Sequence, residues 1–318
     1  MKLSKKSVLV TGGAGFIGSH LVDRLLDRCE RVRVLDNLST GNTSNLNMTE
    51  IEFVNGDVTD GKSVKAAVKD IDVVFHLAAQ INPARAVGDP IGDFEVNARG
   101  TLNLLVNCKS ANIEKFVLSS TNVYGNANTH TMAENFSTLF ERNSILSPYA
   151  ASKICAEAYC KVFNDELGLP TVRLRYFNVY GPRQTTKTES GVVAIFAKSA
   201  LFGKPLQIFG DGTKTRDFVY VSDVVEANLL VAEKDEVNGE VFNVGTGVET
   251  SIKDLARMIL EITGADVPIV HLVLRAADFN RAKADLTRSK QILGYEAKVN
   301  FRDGLTEYID WCRKYYSL

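Results

Sequence analysis

The feature that most restricts the fold of this chain is a glycine-rich turn between a β-branched run and a helical segment. Ser7–Val10 leads into Thr11-Gly12-Gly13-Ala14-Gly15-Phe16-Ile17-Gly18, after which Leu21, Val22, Leu25 and Leu26 recur at helical spacing. Gly13, Gly15 and Gly18 satisfy G-x-G-x-x-G, and Gly12, Gly15 and Gly18 satisfy G-x-x-G-x-x-G. Such a turn lets a pyrophosphate approach backbone N–H groups at a helix N-terminus. The next β-branched run, Arg31–Leu35, ends at Asp36, where a carboxylate can accept hydrogen bonds from an adenosine ribose and would repel a 2′-phosphate. Asn37, not an arginine, follows it, so the pattern favours NAD over NADP.

Further strand candidates alternate with helix-length segments: Ile51–Val54, Asp72–Leu77, Lys115–Leu118 and Thr171–Arg175. This alternation predicts βαβ units and an α/β fold, a doubly wound parallel sheet of Rossmann type. A later run, Glu240–Val244, can return to the same sheet. Beyond Arg175 the pattern loosens, with punctuation at Gly181-Pro182, Gly203-Lys204-Pro205 and Gly210-Asp211-Gly212. The reading is therefore two interleaved lobes: residues 1–176, with a return near 216–245, and a smaller α/β substrate-binding lobe over 177–318.

Composition excludes several classes. The 318 residues carry 37 Lys plus Arg against 38 Asp plus Glu, a net charge of −1 that argues against a nucleic-acid footprint. The densest apolar run, Val73–Ala79, falls short of a membrane span. Five cysteines without a C-x-x-C pair fit reduced thiols and a cytoplasmic location. The four histidines form no ligand-spaced cluster, so no metal is expected. The sequons at Asn42, Asn47 and Asn135 are read as chance matches.

A competing phosphate loop lies at Gly56-Asp57-Val58-Thr59-Asp60-Gly61-Lys62-Ser63, which matches the Walker A pattern. Two carboxylates inside a polyphosphate cradle oppose that use, and the following strand ends in His76-Leu77 with no acid to hold Mg²⁺. In a dinucleotide fold Asp57 can instead bond an adenine edge.

Ser147-Pro148-Tyr149-Ala150-Ala151-Ser152-Lys153 begins as a helix begins, with Ser147 as N-cap and Pro148 at the first helical position. Tyr149 and Lys153 then share one face at i and i+4. A tyrosine acting as base near neutral pH needs its pKa lowered by about 3 units from ~10. Lys153, together with an oxidised nicotinamide ring, is expected to supply that shift.

These segments, with Arg173-Leu174-Arg175-Tyr176-Phe177-Asn178-Val179-Tyr180-Gly181-Pro182-Arg183, resemble the extended short-chain dehydrogenases/reductases, and among them the nucleotide-sugar 4-epimerases of the UDP-glucose 4-epimerase type. The resemblance implies Ser120, Tyr149 and Lys153 as catalytic residues, Ser120 coming from Leu118-Ser119-Ser120-Thr121-Asn122-Val123-Tyr124-Gly125 with Thr121 as fallback. It implies NAD contacts from Gly12, Gly15, Phe16, Ile17, Gly18, Asp36, Asn37, Asp57, Val58, Leu77, Ala78, Ala79, Asn97, Tyr149, Lys153 and Tyr176. For a nucleotide-diphosphate sugar, UDP-linked by the resemblance, it implies Ser120, Tyr149, Asn178, Phe209, Arg216, Arg275, Asp278 and Ala282. Related dehydratases carry an acid directly after or near the catalytic Ser/Thr; here Thr121 and Asn122 stand there, which favours epimerisation at C4. Open alternatives are a uronic acid 4-epimerase, a decarboxylase or reductase of the same family, and a non-catalytic NAD-binding protein. A small residue at 282 resembles enzymes that accept N-acetylhexosamines. A homodimer is expected through the Tyr149 helix, with Ile154, Ala158 and Val162 beside Cys155, Tyr159 and Phe163.

Overall fold

A computed structural model describes residues 1–124, 131–134, 147–186, 191–273 and 281–318. Seven strands form the central sheet: β1 Ser7–Thr11, β2 Arg31–Asp36, β3 Glu52–Asn55, β4 Val73–His76, β5 Lys115–Thr121, β6 Thr171–Tyr176 and the edge strand Val241–Val244. All neighbours pair in parallel, in the order Val241–Val244, β6, β5, β4, β1, β2, β3. The chain leaves β1 toward β2 and β3, then crosses to β4 on the opposite side. A crevice must open where those directions diverge, at the C-terminal ends of β1 and β4.

Strand periodicity divides the core into two layers. Val8 and Val10, Val32 and Val34, and Val73 and Phe75 face helix Phe16–Leu26 and helix Val221–Glu233. Leu9, Leu35 and Val74 point the other way, into the layer of helices Gly61–Ala67, Gly100–Ser110 and Pro148–Asp165. Alternate residues of one strand thus serve opposite helical layers, and strands buried on both sides read as continuous apolar runs.

β5 is longer than its apolar run suggests. Ser119, Ser120 and Thr121 continue the strand because they stay in register with Leu174, Arg175 and Tyr176 of β6. That extension carries the polar residues to the crevice. The smaller lobe has its own core, in which Val193, Phe196, Leu255, Ile259, Leu305 and Ile309 pack between helices Val192–Leu201, Ile252–Thr263 and Phe301–Tyr316. Among the described residues no helix is long and apolar enough to cross a membrane.

Candidate active site

A cleft of about 840 Å³ follows the crevice. Its floor is the glycine turn. Gly12 has φ +69°, and a Cβ there would stand 2.6 Å from the backbone nitrogen of Ala78. At Gly18 a Cβ would stand 2.2 Å from the carbonyl oxygen of Gly12, so the turn closes on helix Phe16–Leu26 only without side chains. Gly15 caps that helix with no side-chain bond to its first turn. Its leading N–H groups therefore suit an anion.

The Walker-like segment is built the opposite way. Asp60 caps helix Gly61–Ala67 and accepts from the backbone N–H of Lys62 (3.3 Å) and Ser63 (2.9 Å) and from Ser63 Oγ (2.6 Å). The N–H groups a phosphate would need are already bonded to a carboxylate. Asp57 lines the cleft nearby and accepts from Asn37 Nδ2 at 2.6 Å. Asp36, buried at the end of β2, accepts from the backbone N–H of Ala14 (2.9 Å) and Leu38 (2.8 Å). Burial raises its pKa, and those two bonds oppose the rise.

Behind the turn a polar chain crosses the sheet. The Ala78 N–H donates to Thr11 Oγ1 (3.2 Å), which lies 2.7 Å from His76 Nδ1; His76 Nε2 lies 3.0 Å from Thr101 Oγ1, which donates to the Asn97 carbonyl (2.6 Å). Because Thr101 spends its proton on a carbonyl, His76 must carry hydrogen on Nε2 and accept at Nδ1. Burial holds this neutral ring's pKa at about 3.

The catalytic wall is helix Pro148–Asp165 packed on β5. Ser147 caps it through Ala150 N–H (3.1 Å), with Pro148 at its start as the sequence predicts. Tyr149 is hydrogen-bonded to the side chain of Thr121. Lys153 Nζ donates to the Ser119 carbonyl at 2.7 Å. Ser120 Oγ donates to Glu157 Oε1 at 2.6 Å, and Glu157 is gripped by Arg175 through Nε and Nη2 at 2.7–3.1 Å. Of the two hydroxyls on this strand end, Thr121 bonds the tyrosine while Ser120 turns its proton toward Glu157.

The tyrosine's electrostatics before cofactor enters the cleft are set by its protein surroundings. Burial pushes the Tyr149 hydroxyl up to about 12; the Thr121 bond opposes the rise and the nearby Asp93 carboxylate adds to it. Lys153 lies one turn further along the same helix face, its ammonium donating to the Ser119 carbonyl. Burial lowers Lys153 itself to about 8, with Glu157 acting in the opposite direction.

The cleft wall gathers Gly12, Gly15, Phe16, Ile17, Gly18, Asp36, Asn37, Asp57, Val58, Leu77, Ala78, Ala79, Ser120, Tyr149, Lys153 and Tyr176. Asn97 stands behind it, exchanging bonds with the backbone of Gln80 (2.9 and 3.0 Å) and donating to Asp93 (3.1 Å). Asn178 lies on a short strand paired with Phe218–Tyr220, Phe209 ends the strand Leu206–Phe209, and Arg216 Nη1 donates to the Thr215 carbonyl. Ala282 is buried in the core cluster that holds Tyr124, Met132 and Phe177. These four are not among the residues that line the cleft. Arg275 and Asp278 lie outside the described residues. Sequence reasoning passed over Glu157, although it continues the i+4 spacing of Tyr149 and Lys153, and Gln184, which follows the quoted Arg183.

The glycine turn, the acid at the end of β2 and the Tyr–Lys helix at one crevice define a dinucleotide-dependent enzyme of the Rossmann class. The chain belongs to the NAD dependent epimerase/dehydratase family, whose model matches residues 8–245. It is 40% identical over 314 residues to UDP-glucose 4-epimerase of Mycolicibacterium smegmatis, covering 96% of this chain and 98% of that one. A crystal structure of UDP-glucose 4-epimerase with UDP-glucose from Thermotoga maritima superposes with a TM-score of 0.92, at 41% identity over 98% of this chain and 99% of that chain. A UDP-N-acetyl-alpha-D-glucosaminuronate decarboxylase of Bacillus cytotoxicus is 35% identical over 319 residues, covering 98% of each chain. The uncapped turn, the absent Cβ atoms and the buried Asp36 fit the family's NAD.

Proposed function

We propose that this enzyme epimerises a UDP-hexose at C4, interconverting UDP-glucose and UDP-galactose through a 4-keto sugar. Bound NAD supplies a hydride acceptor that returns the hydride, and a positively charged ring near the base. Tyr149 takes the proton from the 4-hydroxyl and gives it back to the 4-keto oxygen. Thr121 orients the tyrosine oxygen. Ser120, its own proton held by Glu157, stands beside the base on the cleft wall and orients the 4-oxygen by contact, the single 4-hydroxyl proton going to Tyr149. Lys153 keeps a positive charge behind the tyrosine while its pKa of about 8 exceeds the ambient pH. Anchoring the diphosphate keeps the keto sugar from leaving between the two half-reactions.

The observation that carries this reading is the acid-free strand end. Thr121 bonds Tyr149, and Asn122 accepts from the Tyr124 N–H at 3.2 Å, so neither position after Ser120 offers a proton donor for expelling water. Among the described residues, the acids bonded to this wall, Glu157 and Asp93, are spent on Ser120 and Arg175, and on Ser152, Gln80 and Asn97. Incubating the purified protein with a panel of nucleotide sugars, without added reductant, tests the proposal. Interconversion of the C4 epimers, abolished in Tyr149→Phe, supports it; release of CO₂ from a UDP-uronic acid in place of epimerisation refutes it. We further propose a homodimer. Tyr159 and Val162 of helix Pro148–Asp165 are exposed, the helices packed against it carry exposed Val87, Ile91, Phe94 and Val106, and Phe163 is buried within the subunit.

A further inference from the structure

Asp93 lies on the short helix Pro90–Phe94, which packs on helix Pro148–Asp165, and it is 1% exposed. Its carboxylate serves three segments. Oδ1 accepts from Gln80 Nε2 at 2.9 Å and from Asn97 Nδ2 at 3.1 Å, and Oδ2 accepts from Ser152 Oγ at 2.6 Å. Gln80 stands on the cleft wall just after β4, whereas Ser152 follows Tyr149 by three residues and has its Oγ 3.0 Å from the Tyr149 carbonyl. One side chain thus joins the wall after β4 to the catalytic helix. All three donors are neutral, and among the described residues no cation pairs with the carboxylate. An acceptor of three bonds with no proton to give is a charged carboxylate, and these bonds hold its charge in place without cancelling it.

That charge acts on the proton-transfer pair. Burial is the largest influence on both Tyr149 and Lys153, and Asp93 acts on each toward keeping its proton. Thr121 acts the other way on the tyrosine, while Glu157 and Cys160 act with Asp93 on the lysine. Of the other charged or titratable groups around them, His76 of β4 feels the Lys153 charge and Arg175 of β6 is paired with Glu157. Arg85 is exposed on the cleft wall, and Glu95 and Arg99 bond each other at the surface. Tyr149 must both take a proton and give it back, which asks for a proton affinity near ambient pH. Lys153 and an oxidised nicotinamide ring lower that affinity, and a fixed negative charge opposes them.

We propose that Asp93 is a positioning residue for the proton transfer: it clamps the cleft wall at Gln80 to the catalytic helix through Ser152, and it holds a negative charge behind Tyr149 so that the phenol gives back the proton it takes. The assignment rests on Tyr149 as the base, part of the reading above, and on no choice of sugar.

The test titrates Tyr149 in NAD-loaded protein, without sugar. Tyrosinate absorbance is followed against pH, and the curve of the same protein carrying Tyr149→Phe is subtracted. Asp93→Asn should lower the midpoint by about one pH unit or more, the effect of a unit charge within ~12 Å at an effective dielectric of ~20. The site can accommodate asparagine: Oδ1 keeps Gln80 and Asn97, and the new NH₂ donates to Ser152 Oγ, whose proton turns to the Tyr149 carbonyl. Asp93→Ser removes the same charge and should give the same midpoint, so either variant supplies the measurement. Ser152→Ala breaks the clamp and leaves the charge; it should lower the Tm and leave the midpoint in place. The other charged groups are the same in every protein compared. An unmoved midpoint without the Asp93 charge overturns the proposal, and an equal fall in Ser152→Ala does so too, since loosened packing would then account for it. A wild-type curve with no Tyr149 titration would overturn the base assignment itself and the role of Asp93 with it.

Discussion

Replacing Glu157 by glutamine keeps the side chain's shape and removes its charge from a buried set of bonds. Glu157 and Arg175 have side-chain exposures of 7% and 11%, and the pair also holds Ser120 Oγ at 2.6 Å. Breaking such a pair by removing one partner costs about 3–5 kcal/mol; glutamine keeps one acceptor oxygen, which places the change near the lower bound. With an unfolding entropy of ~2.1 cal/mol/K per residue, a chain of this length loses roughly 4 °C of Tm for ~3 kcal/mol. Turnover changes for a separate reason. Without the carboxylate the Ser120 proton is free to rotate into the cleft, and losing that orientation lowers kcat by about tenfold. A merely structural role for Glu157 would not make this loss depend on Ser120. In a Ser120→Ala background the further substitution should therefore change kcat little. Removing Glu157 also removes a charge that favours protonated Lys153, so the alkaline limb of the pH–rate profile should move to lower pH. Thermal melts and stopped-assay kinetics on the four proteins of the cycle measure all of this. Additive losses in the double variant would refute the reasoning.

Three further outcomes are expected. His76 has a folded pKa of about 3 against an ordinary 6.5, so its contribution is complete above 6.5 and is lost as pH falls; at pH 5 this one ring costs about 2 kcal/mol, a slope that urea unfolding at pH 7.5 and 5.0 should find in wild type and not in His76→Gln. Light scattering should give twice the 34.9 kDa chain mass, and Ile91→Lys with Tyr159→Lys should return the monomer; a monomeric wild type refutes the shared apolar face. Ala282 is buried off the cleft wall, so Ala282→Tyr should overpack the core by about 1–3 kcal/mol, seen as a lower Tm; an unchanged kcat/KM ratio between N-acetylated UDP-sugars and UDP-glucose in the folded variant would show that position 282 does not limit the pocket.

The legible part of the protein was local. The glycine turn, Asp36 and the Ser147-Pro148 helix start depend on neighbours within a few residues, and the fold uses them as their spacing predicts. The polar extension of β5 was not legible, because Ser119–Thr121 become strand only through pairing with β6, some fifty residues away. Glu157 shares a helix face with Tyr149 and Lys153, yet its partner Arg175 arrives from the sheet. For Lys153 the i,i+4 spacing was legible, but the carbonyl that its ammonium meets, on Ser119, comes from a strand thirty-four residues earlier.

The capped helix at Gly61 bears on how this sequence can change. Its eight-residue match to a nucleotide-triphosphate loop leaves no N–H groups for a phosphate, because Asp60 already accepts from Lys62 and Ser63. Acquiring phosphate binding would mean losing the cap first, at roughly 1 kcal/mol, before any phosphate could compensate. A lineage would have to cross a less stable intermediate with no gain on the way. The Walker-like pattern here is accounted for by the start of one helix and by Asp57 on the cleft wall, with no phosphate needed to explain any of its residues.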